Sequence, residues 1–388
     1  MKALFFVSIL PIVFAFQKKY NMIIRKRVVY VAMPPKIESI IHSDWVALEP
    51  DGEEQFHKAM SYLRRKEFNE FAHARDVFSE HLIGTYSILS AWGLPKEITR
   101  AGLFHTVYGG DLFIFQYFNP NKELDRAELR DIIGTESEHL TYLFGTMDRS
   151  VVNHTICTEG TLDSDSLRKI RTSGGEIEKQ ITTQDQAAIM IVTIADYLDQ
   201  MVSVNGWRDV HQSENPLKLY PGDGKPEIAF FWFSSVCKVI APYLPVIPPI
   251  FHHCTETITR EDEVRARDKY WVAITEEGDD QEELLQEAAK LNPFIAEPHV
   301  QLAQLYFREE RYTEARMECE IALECFYTLA SCWDKRIPFR QWVAFTRIMY
   351  LRASRKEVGL KSMPFTDKDA SLFRDSSHVS LTDLLNEM

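Results

Sequence analysis

Apolar residues recur at helical spacing along most of the chain. In the first clear example, Phe56, Met60, Leu63 and Phe68 follow one another at intervals of three to five residues. Such spacing places apolar side chains on one face of an α-helix. Patterns of this kind predict helices over residues 53–71, 79–92, 95–107, 124–133, 136–144, 183–204, 228–243 and 260–274. Alternation with a period of two is scarce and is best in Val28–Val31. The pattern therefore predicts an all-α protein.

Glycine and proline separate the predicted helices. The Gly-Leu-Pro run at residues 93–95 ends one helix and begins the next, because glycine suits the position after a helix and proline suits a first turn. Residues 149–182 are polar and contain two adjacent glycines, so we expect a loop or a short hairpin there. Residues 205–226 hold several glycines and prolines and are predicted to form a long loop.

The C-terminal part of the chain carries a weak internal repeat. Ala288 and Ala322 lie 34 residues apart. Small and large residues occupy characteristic places between them, at Leu302, Ala303, Tyr306 and Ala315. This pattern resembles the tetratricopeptide repeat, in which two antiparallel helices approach closely at small residues. The resemblance covers residues 282–327, or about one and a half units.

A tetratricopeptide-like region this short has two interpretations. Solenoids normally need about three units or more for stability. That requirement favours packing of the repeat on the preceding domain or on a helix near residues 339–352. The alternative is a partner-binding surface, in which case a protein partner would bind residues 282–352.

The N-terminus has the composition of a targeting segment. Residues 3–16 are nearly all apolar, and a basic stretch follows in which the first acidic residue is Glu38. The apolar run suits a signal-peptide core and is shorter than the roughly 20 residues of a spanning helix. The combination resembles a plastid-like organelle leader, with cleavage before Phe16, or a secretory signal. It has two alternatives: a weak membrane anchor, which would be the chain's one membrane contact, and a true start at Met33, which would make the protein cytoplasmic.

Charge and composition narrow the function classes. The 388-residue chain has 44 basic and 57 acidic residues, a net charge of −13, and 45% hydrophobic residues. That hydrophobic share permits a sizeable core. An acidic surface without a basic patch repels phosphate backbones, so we expect no nucleic-acid partner. The six cysteines include no Cys-x-x-Cys pair, which argues against a zinc ribbon.

The candidate chemistry involves His81, His105 and Asp196. The two histidines are 24 residues apart, at opposite ends of two predicted helices that meet at the turn of residues 93–95. Helices of about 11 residues run about 17 Å out and back, so an antiparallel hairpin returns both imidazoles to one level. Asp196 lies in the most apolar predicted helix, where a carboxylate is costly unless it is paired or bound to a metal. Two imidazoles and a carboxylate are good ligands for Zn, Fe, Mn or Ni.

These segments resemble the HD superfamily of phosphohydrolases. The run from His81 to the Ala-Gly-Leu-Phe-His sequence ending at His105 looks like the first helices of that superfamily. Residues 131–134 are similar to the next segment of guanosine-tetraphosphate hydrolases, and residues 195–201 look like the late helix that supplies the final metal aspartate. Residues 105–109 also match the His-Ser/Thr-Val-Tyr-Gly signature of an uncharacterised HD-like domain family. The resemblance implies a metal held by both histidines and Asp196.

The chain departs from the HD pattern at two points. Thr106 replaces the aspartate that follows the second histidine, and a threonine hydroxyl is a poor metal ligand. Gly109 and Gly110 replace the acidic pair that positions the attacking water in the tetraphosphate hydrolases. His73, upstream of the first histidine, is a candidate for the missing fourth ligand.

Three further residues are candidates for chemistry at this site. Asp111 is adjacent to the glycine pair and could handle the proton. Tyr108 is a candidate catalytic residue that could contact the substrate, and Arg75 is a candidate substrate-binding residue. Each of the latter two has a structural alternative, since Tyr108 could pack in the core and Arg75 could pair with Asp76 or Glu80.

The chain is therefore predicted to have four parts. Residues 1–39 form the leader, 40–275 the HD-like helical domain, 276–360 the tetratricopeptide-like helices and 361–388 a disordered tail. We expect a divergent metal-dependent phosphohydrolase that acts on a small phosphorylated or nucleotide-like substrate. The alternative is a catalytically degenerate HD-like scaffold whose C-terminal repeat binds a protein partner.

Overall fold

Helices dominate the part of the chain that the structure describes. This part of the computed structural model comprises residues 30–31, 54–64, 68, 72–73, 76–109, 116–147, 152, 155–156, 159–162, 169–172, 175–178, 181–199, 230–253, 258–275, 278, 280–334 and 336–359. The all-α prediction is confirmed, because the strands in these ranges form three short two-stranded sheets and everything else that is regular is helical. None of the described helices combines the length and apolar character needed to cross a bilayer.

Most helices follow the predicted segments closely, but the first helix ends at Leu63, whereas the prediction ran to residue 71. Those before the repeat are α1 Glu54–Leu63, α2 Phe78–Ala91, α3 Lys96–Leu103, α4 Glu123–Ile133, α5 Thr135–Thr146, α6 Thr183–Asp199, α7 Phe230–Ile240, α8 Ile250–His253 and α9 Arg260–Thr275. The later ones are α10 Gln281–Leu291, α11 Glu297–Arg308, α12 Tyr312–Leu329 and α13 Phe339–Glu357. The long loop predicted for residues 205–226 and the predicted tail lie outside the described residues.

The described strands are two to four residues long and form three pairs. β2 (Ala72–His73) pairs antiparallel with β3 (Asp76–Val77), and β4 (Lys169–Thr172) pairs antiparallel with β5 (Gly175–Glu178). The second pair is the hairpin that was one of the two predictions for residues 149–182. β1 (Tyr30–Val31), part of the predicted strand in the leader segment, pairs in parallel with β6 (Val246–Ile247).

Helix α3 ends four residues earlier than predicted. After Leu103 the backbone changes to tighter turns, in which Val107 donates to the carbonyl of Phe104 and Gly109 to that of Thr106. These bonds join residues three apart, whereas an α-helix joins residues four apart. His105 therefore lies in a buried turn after α3 rather than within a helix.

One hydrophobic core joins the first region to the C-terminal helices. Trp92 and Ile194 belong to the same buried cluster as Leu285, Leu302 and Trp333. A second cluster lies around α1, α2 and the turn after α3, and includes Leu63, Phe68, Phe78, Phe104 and Phe118. The C-terminal helices thus share their core with the preceding helices, as the packing interpretation of the repeat predicts.

The small and large residues of the repeat pattern are buried. Ala303 packs with Cys319 and Met349, and Ala322 lies in a cluster with residues of α12 and α13. The other members, also buried, are Ala288, Leu302, Tyr306 and Ala315. The pattern therefore occupies helix interfaces, while the assignment to the tetratricopeptide family stays a prediction.

Two buried hydrogen bonds tie the segment after α12 to the first region. The indole nitrogen of Trp92 donates to the carbonyl of Thr328 at 3.0 Å. The hydroxyl of Ser331 donates to the carbonyl of Leu198, near the end of α6, at 3.2 Å. Both acceptor carbonyls lie in the last turn of a helix, where backbone carbonyls lack partners inside their own helix.

Glu297 holds the same segment from the other side. Its carboxylate accepts hydrogen bonds from the backbone nitrogens of Trp333, at 2.7 Å, and Asp334, at 2.9 Å. Burial raises the pKa of Glu297 to about 7, although both backbone donors favour the charged form. Asp334 is itself buried and pairs with Arg336. The segment from Ala330 to Asp334 is therefore fixed by polar contacts as well as by packing.

Replacement of Trp92 tests whether the two regions fold together. Trp92→Phe keeps an aromatic ring but leaves the buried carbonyl of Thr328 without its donor, which typically costs about 1–3 kcal/mol. We expect urea unfolding, followed by circular dichroism, to remain a single transition with a lower midpoint. Trp271→Phe, at a partly buried site on α9, is the matched control and should shift the midpoint less. Two separate transitions, or equal shifts in both variants, would contradict the prediction.

Candidate metal centre

Three side chains from separate parts of the chain meet in the core. His81 lies in the first turn of α2, His105 in the turn after α3, and Asp196 near the end of α6. The Nε2 atom of His81 is 3.3 Å from Nε2 of His105 and 3.3 Å from Oδ1 of Asp196. The remaining distance, from Nε2 of His105 to Oδ1 of Asp196, is 3.6 Å. The predicted hairpin thus brings both imidazoles to one carboxylate.

All three side chains are almost completely enclosed. Their exposed fractions are 4% for His81, 0% for His105 and 5% for Asp196. Among the described residues, this is the one group of three or more histidine, cysteine or acidic side chains whose ligand atoms lie within 4.8 Å of one another. Burial of such a group is costly unless protons, hydrogen bonds or a metal ion compensate its charge.

The hydrogen bonds of the two histidines determine where their lone pairs point. Nδ1 of His105 lies 2.7 Å from the carbonyl oxygen of Gly102, which can only accept, so Nδ1 carries the proton. Nδ1 of His81 lies 2.8 Å from Oδ2 of Asp199, and a carboxylate likewise accepts. In the neutral imidazoles, both Nε2 atoms therefore direct lone pairs toward Asp196. This is the arrangement that a bound cation requires.

The spacing of the three ligand atoms fits a metal ion. Atoms bound to one ion at about 2.0–2.2 Å and at tetrahedral angles lie about 3.3–3.6 Å apart. The three measured distances, 3.3, 3.3 and 3.6 Å, fall in that range. The group could therefore hold a metal ion with little movement of its side chains.

A proton compensates the charge of the same group when no cation is bound. Burial alone would lower the pKa of His81, but hydrogen bonds and charge attraction from Asp196 and Asp199 outweigh it and raise the pKa to about 9. Burial alone would raise the pKa of Asp196, whereas the charge of His105 and hydrogen bonds from both histidines hold it well below its ordinary value. A metal must therefore displace a proton from His81 at neutral pH.

Thr106 directly follows His105 in the chain and lies beside the candidate metal group. It is buried, and its hydroxyl has no hydrogen-bond partner among the described residues. The same is true of Thr85, one turn after His81 on α2. Buried hydroxyls normally have a hydrogen-bond partner. The hydroxyls of Thr85 and Thr106 can therefore each form a further hydrogen bond near the candidate metal group.

Tyr108 takes part in a second buried polar cluster. Its hydroxyl donates to Oε1 of Glu138 at 2.7 Å, and Nε of Arg126 lies 2.7 Å from the same oxygen. Burial and this hydrogen bond raise the pKa of Tyr108. The guanidinium of Arg126 also stacks on the ring of Tyr142. In this arrangement Tyr108 has the structural role that was the alternative to its predicted catalytic one.

The other predicted site residues fall where the structure gives no side-chain position. Asp111 and Arg75 lie outside the described residues. The backbone of His73 belongs to β2, whose side chains are not described. Their proposed roles as proton carrier, substrate ligand and fourth metal ligand stay predictions.

Sequence reasoning missed Asp199 and Glu138. Asp199 follows Asp196 by three residues, which places it on the same helix face, and this spacing was a usable signal. Glu138 acts through its contacts with Tyr108 and Arg126, for which the sequence carries no local pattern.

Fold and site together define an all-α protein with a buried histidine–aspartate group able to hold a metal ion. A family model described as "Domain of unknown function (DUF6817)" matches residues 62–149. The matched segment contains both histidines and Glu138 and ends before Asp196. No curated protein and no solved structure matches the chain significantly. The HD-like and tetratricopeptide-like resemblances therefore stay predictions.

The raised pKa of His81 predicts how the stability of the metal-free protein depends on pH. His81 has a pKa of about 9 in the folded protein and 6.5 ordinarily. Its contribution to stability is therefore complete below pH 6.5 and is lost as the pH rises through 9. At 1.36 kcal/mol per pKa unit, the loss is about 3 kcal/mol.

Urea unfolding in the presence of a chelator, between pH 6 and 9.5, measures this loss. His81→Gln replaces the ring with a neutral amide and should remove the loss of about 3 kcal/mol that His81 contributes. The raised pKa of Glu297, about 7, leaves a smaller loss at the acid end of the range in both proteins. Equal pH dependence in the two proteins would show that His81 does not carry the stabilising proton.

Proposed function

We propose that the protein is a divergent metal-dependent phosphohydrolase acting on a small phosphorylated or nucleotide-like substrate. The observation that supports this proposal is the triangle of ligand atoms from His81, His105 and Asp196. Its sides have the lengths expected for three ligands of one ion. The reaction class comes from the resemblance of these segments to HD-superfamily phosphohydrolases.

The donor set narrows the choice of metal. Two imidazole nitrogens and one carboxylate oxygen suit Zn, Fe, Mn or Ni better than Mg or Ca, which prefer oxygen ligands. Three protein ligands leave open positions, as in catalytic rather than structural metal sites. A metal bound here would supply an activated water and polarise a phosphoryl oxygen.

The residues of the chain have separate roles in this proposal. His81, His105 and Asp196 hold the ion, with His73 as a candidate fourth ligand. Asp111 carries the proton, and Arg75 binds the substrate phosphate as a fixed positive charge. Tyr108 contacts the substrate if its hydroxyl leaves Glu138.

The second candidate is a catalytically degenerate scaffold that binds a protein partner through residues 282–352. The specific observation in its favour is Thr106, which offers a hydroxyl where the HD pattern has a carboxylate ligand. A further observation is that His81 pairs with both Asp196 and Asp199 in the metal-free site, so the buried carboxylate already has a partner there.

Metal analysis of the purified protein separates the two candidates. The hydrolase proposal predicts close to one transition-metal ion per chain and hydrolysis of nucleotides or bis(p-nitrophenyl) phosphate that a chelator abolishes. It also predicts that metal at about 100 times its dissociation constant raises the free energy of unfolding by about 2.7 kcal/mol.

His105→Ala should lower metal affinity by more than the roughly 10–100-fold that the loss of an outer hydrogen-bond partner costs. His139→Ala is the matched control, because His139 lies on α5, is partly exposed and pairs with Asp185. A protein that is purified without metal, and whose free energy of unfolding does not change with chelator or added metal, would instead support the scaffold candidate.

A further inference from the structure

Asp199 lies behind His81, on the side opposite the metal-binding nitrogen. It follows Asp196 by one helical turn, so both carboxylates of α6 face α2. Oδ2 of Asp199 is 2.8 Å from Nδ1 of His81, while Nε2 of the same ring faces His105 and Asp196. Asp199 therefore fixes which nitrogen of His81 keeps its proton and how the ring is turned.

Gly84 makes room for that carboxylate. A Cβ atom at Gly84 would lie 2.6 Å from Cγ of Asp199 and still closer to Oδ1. Gly84 is one turn after His81 in the interior of α2, where glycine is less favourable than alanine by roughly 1 kcal/mol. The contact gives a physical reason for glycine at this position.

Ser331 holds the end of the helix that carries Asp199. The carbonyl of Leu198 is among the last four of α6, which have no donor within the helix. Ser331 supplies that donor from the C-terminal region, in a fully buried hydrogen bond. The backbone of Asp199 directly follows this anchored carbonyl.

We propose that Asp199 is the positioning residue of the metal centre, accommodated by Gly84 and anchored through Ser331. The inference rests on the proposed metal site and adds an outer carboxylate to it. Carboxylates that accept a hydrogen bond from a ligating histidine orient the ring and raise its basicity, and their loss typically costs 10–100-fold in metal affinity.

Titration with Co²⁺ under anaerobic conditions, followed by its visible absorption, measures affinity and ligand geometry together. Asp199→Ala should weaken Co²⁺ binding about 10–100-fold. Gly84→Ala should weaken it similarly, because the new methyl group displaces the Asp199 carboxylate. Ser331→Ala should weaken it by a smaller factor. The matched controls are Asp268→Ala on α9 and Ser354→Ala on α13, and neither should change the affinity.

The double variant Gly84→Ala/Asp199→Ala is the decisive comparison. If Gly84 serves only to accommodate Asp199, the glycine substitution should have no further effect once the carboxylate is gone. A full additional loss in the double variant would overturn the role of Gly84. Unchanged affinity in Asp199→Ala would overturn the inference while leaving the proposed function intact.

The His81 ring itself gives a readout that does not need a metal. We expect nitrogen NMR of the wild-type protein, kept metal-free by a chelator, to show the proton of the neutral His81 ring on Nδ1. The pH must be above 9 so that the ring is neutral. Asp199→Ala should shift this proton toward Nε2, whereas Asp268→Ala should not. If the wild type binds no Co²⁺, the proposed function fails and the metal-positioning role of Asp199 fails with it. A tautomer change would then show only that Asp199 orients the His81 ring.

Discussion

Two imidazoles and a carboxylate enclosed in an apolar core constrain the helices around them. Charged groups in such a place are tolerated only when each hydrogen-bonding atom has a partner or a cation compensates them. Nδ1 of His105 is satisfied by its own turn, and Nδ1 of His81 by Asp199. The two Nε2 atoms and Oδ1 of Asp196 face one another, and a proton or a metal ion can be shared among them. The stability of the metal-free protein and the affinity for a metal ion would therefore depend on the same ligand atoms.

The C-terminal helices contribute to this arrangement from outside the site. Their core is continuous with that of the first region, and Trp92 and Leu198 are both bonded to the segment that follows α12. Trp92 directly follows α2 and Leu198 lies in the last turn of α6, the two helices that carry His81 and Asp196. The segment after α12 is thus bonded to the ends of the two helices that carry His81 and Asp196.

Competition between proton and metal sets the conditions under which the proposed enzyme would work. At neutral pH a raised pKa keeps a proton on His81, so metal binding must release it. A proton and a metal ion would therefore compete for one imidazole, and this competition needs no conformational change.

The sequence by itself determined the helices and three of the site residues. Helical spacing placed α2, α4, α5, α6 and α9 within a few residues of their observed bounds, because each helix buries one face and the period of that face is a local property. The separation of His81 and His105 around the turn at residues 93–95 predicted that the rings meet, since rise per residue is fixed, although His105 lies in a tighter turn after α3. Asp196 stood out as a carboxylate in an apolar helix.

Only the tertiary structure decided the partners of those residues. The early end of α3, the contact of Gly84 with Asp199, and the engagement of Tyr108 by Glu138 depend on where helices cross. So does the bond from Ser331 to Leu198, between residues 133 positions apart. Local spacing determines which face a helix buries, but which atoms of two helices meet depends on packing contributed by the whole chain, and no local pattern encodes that.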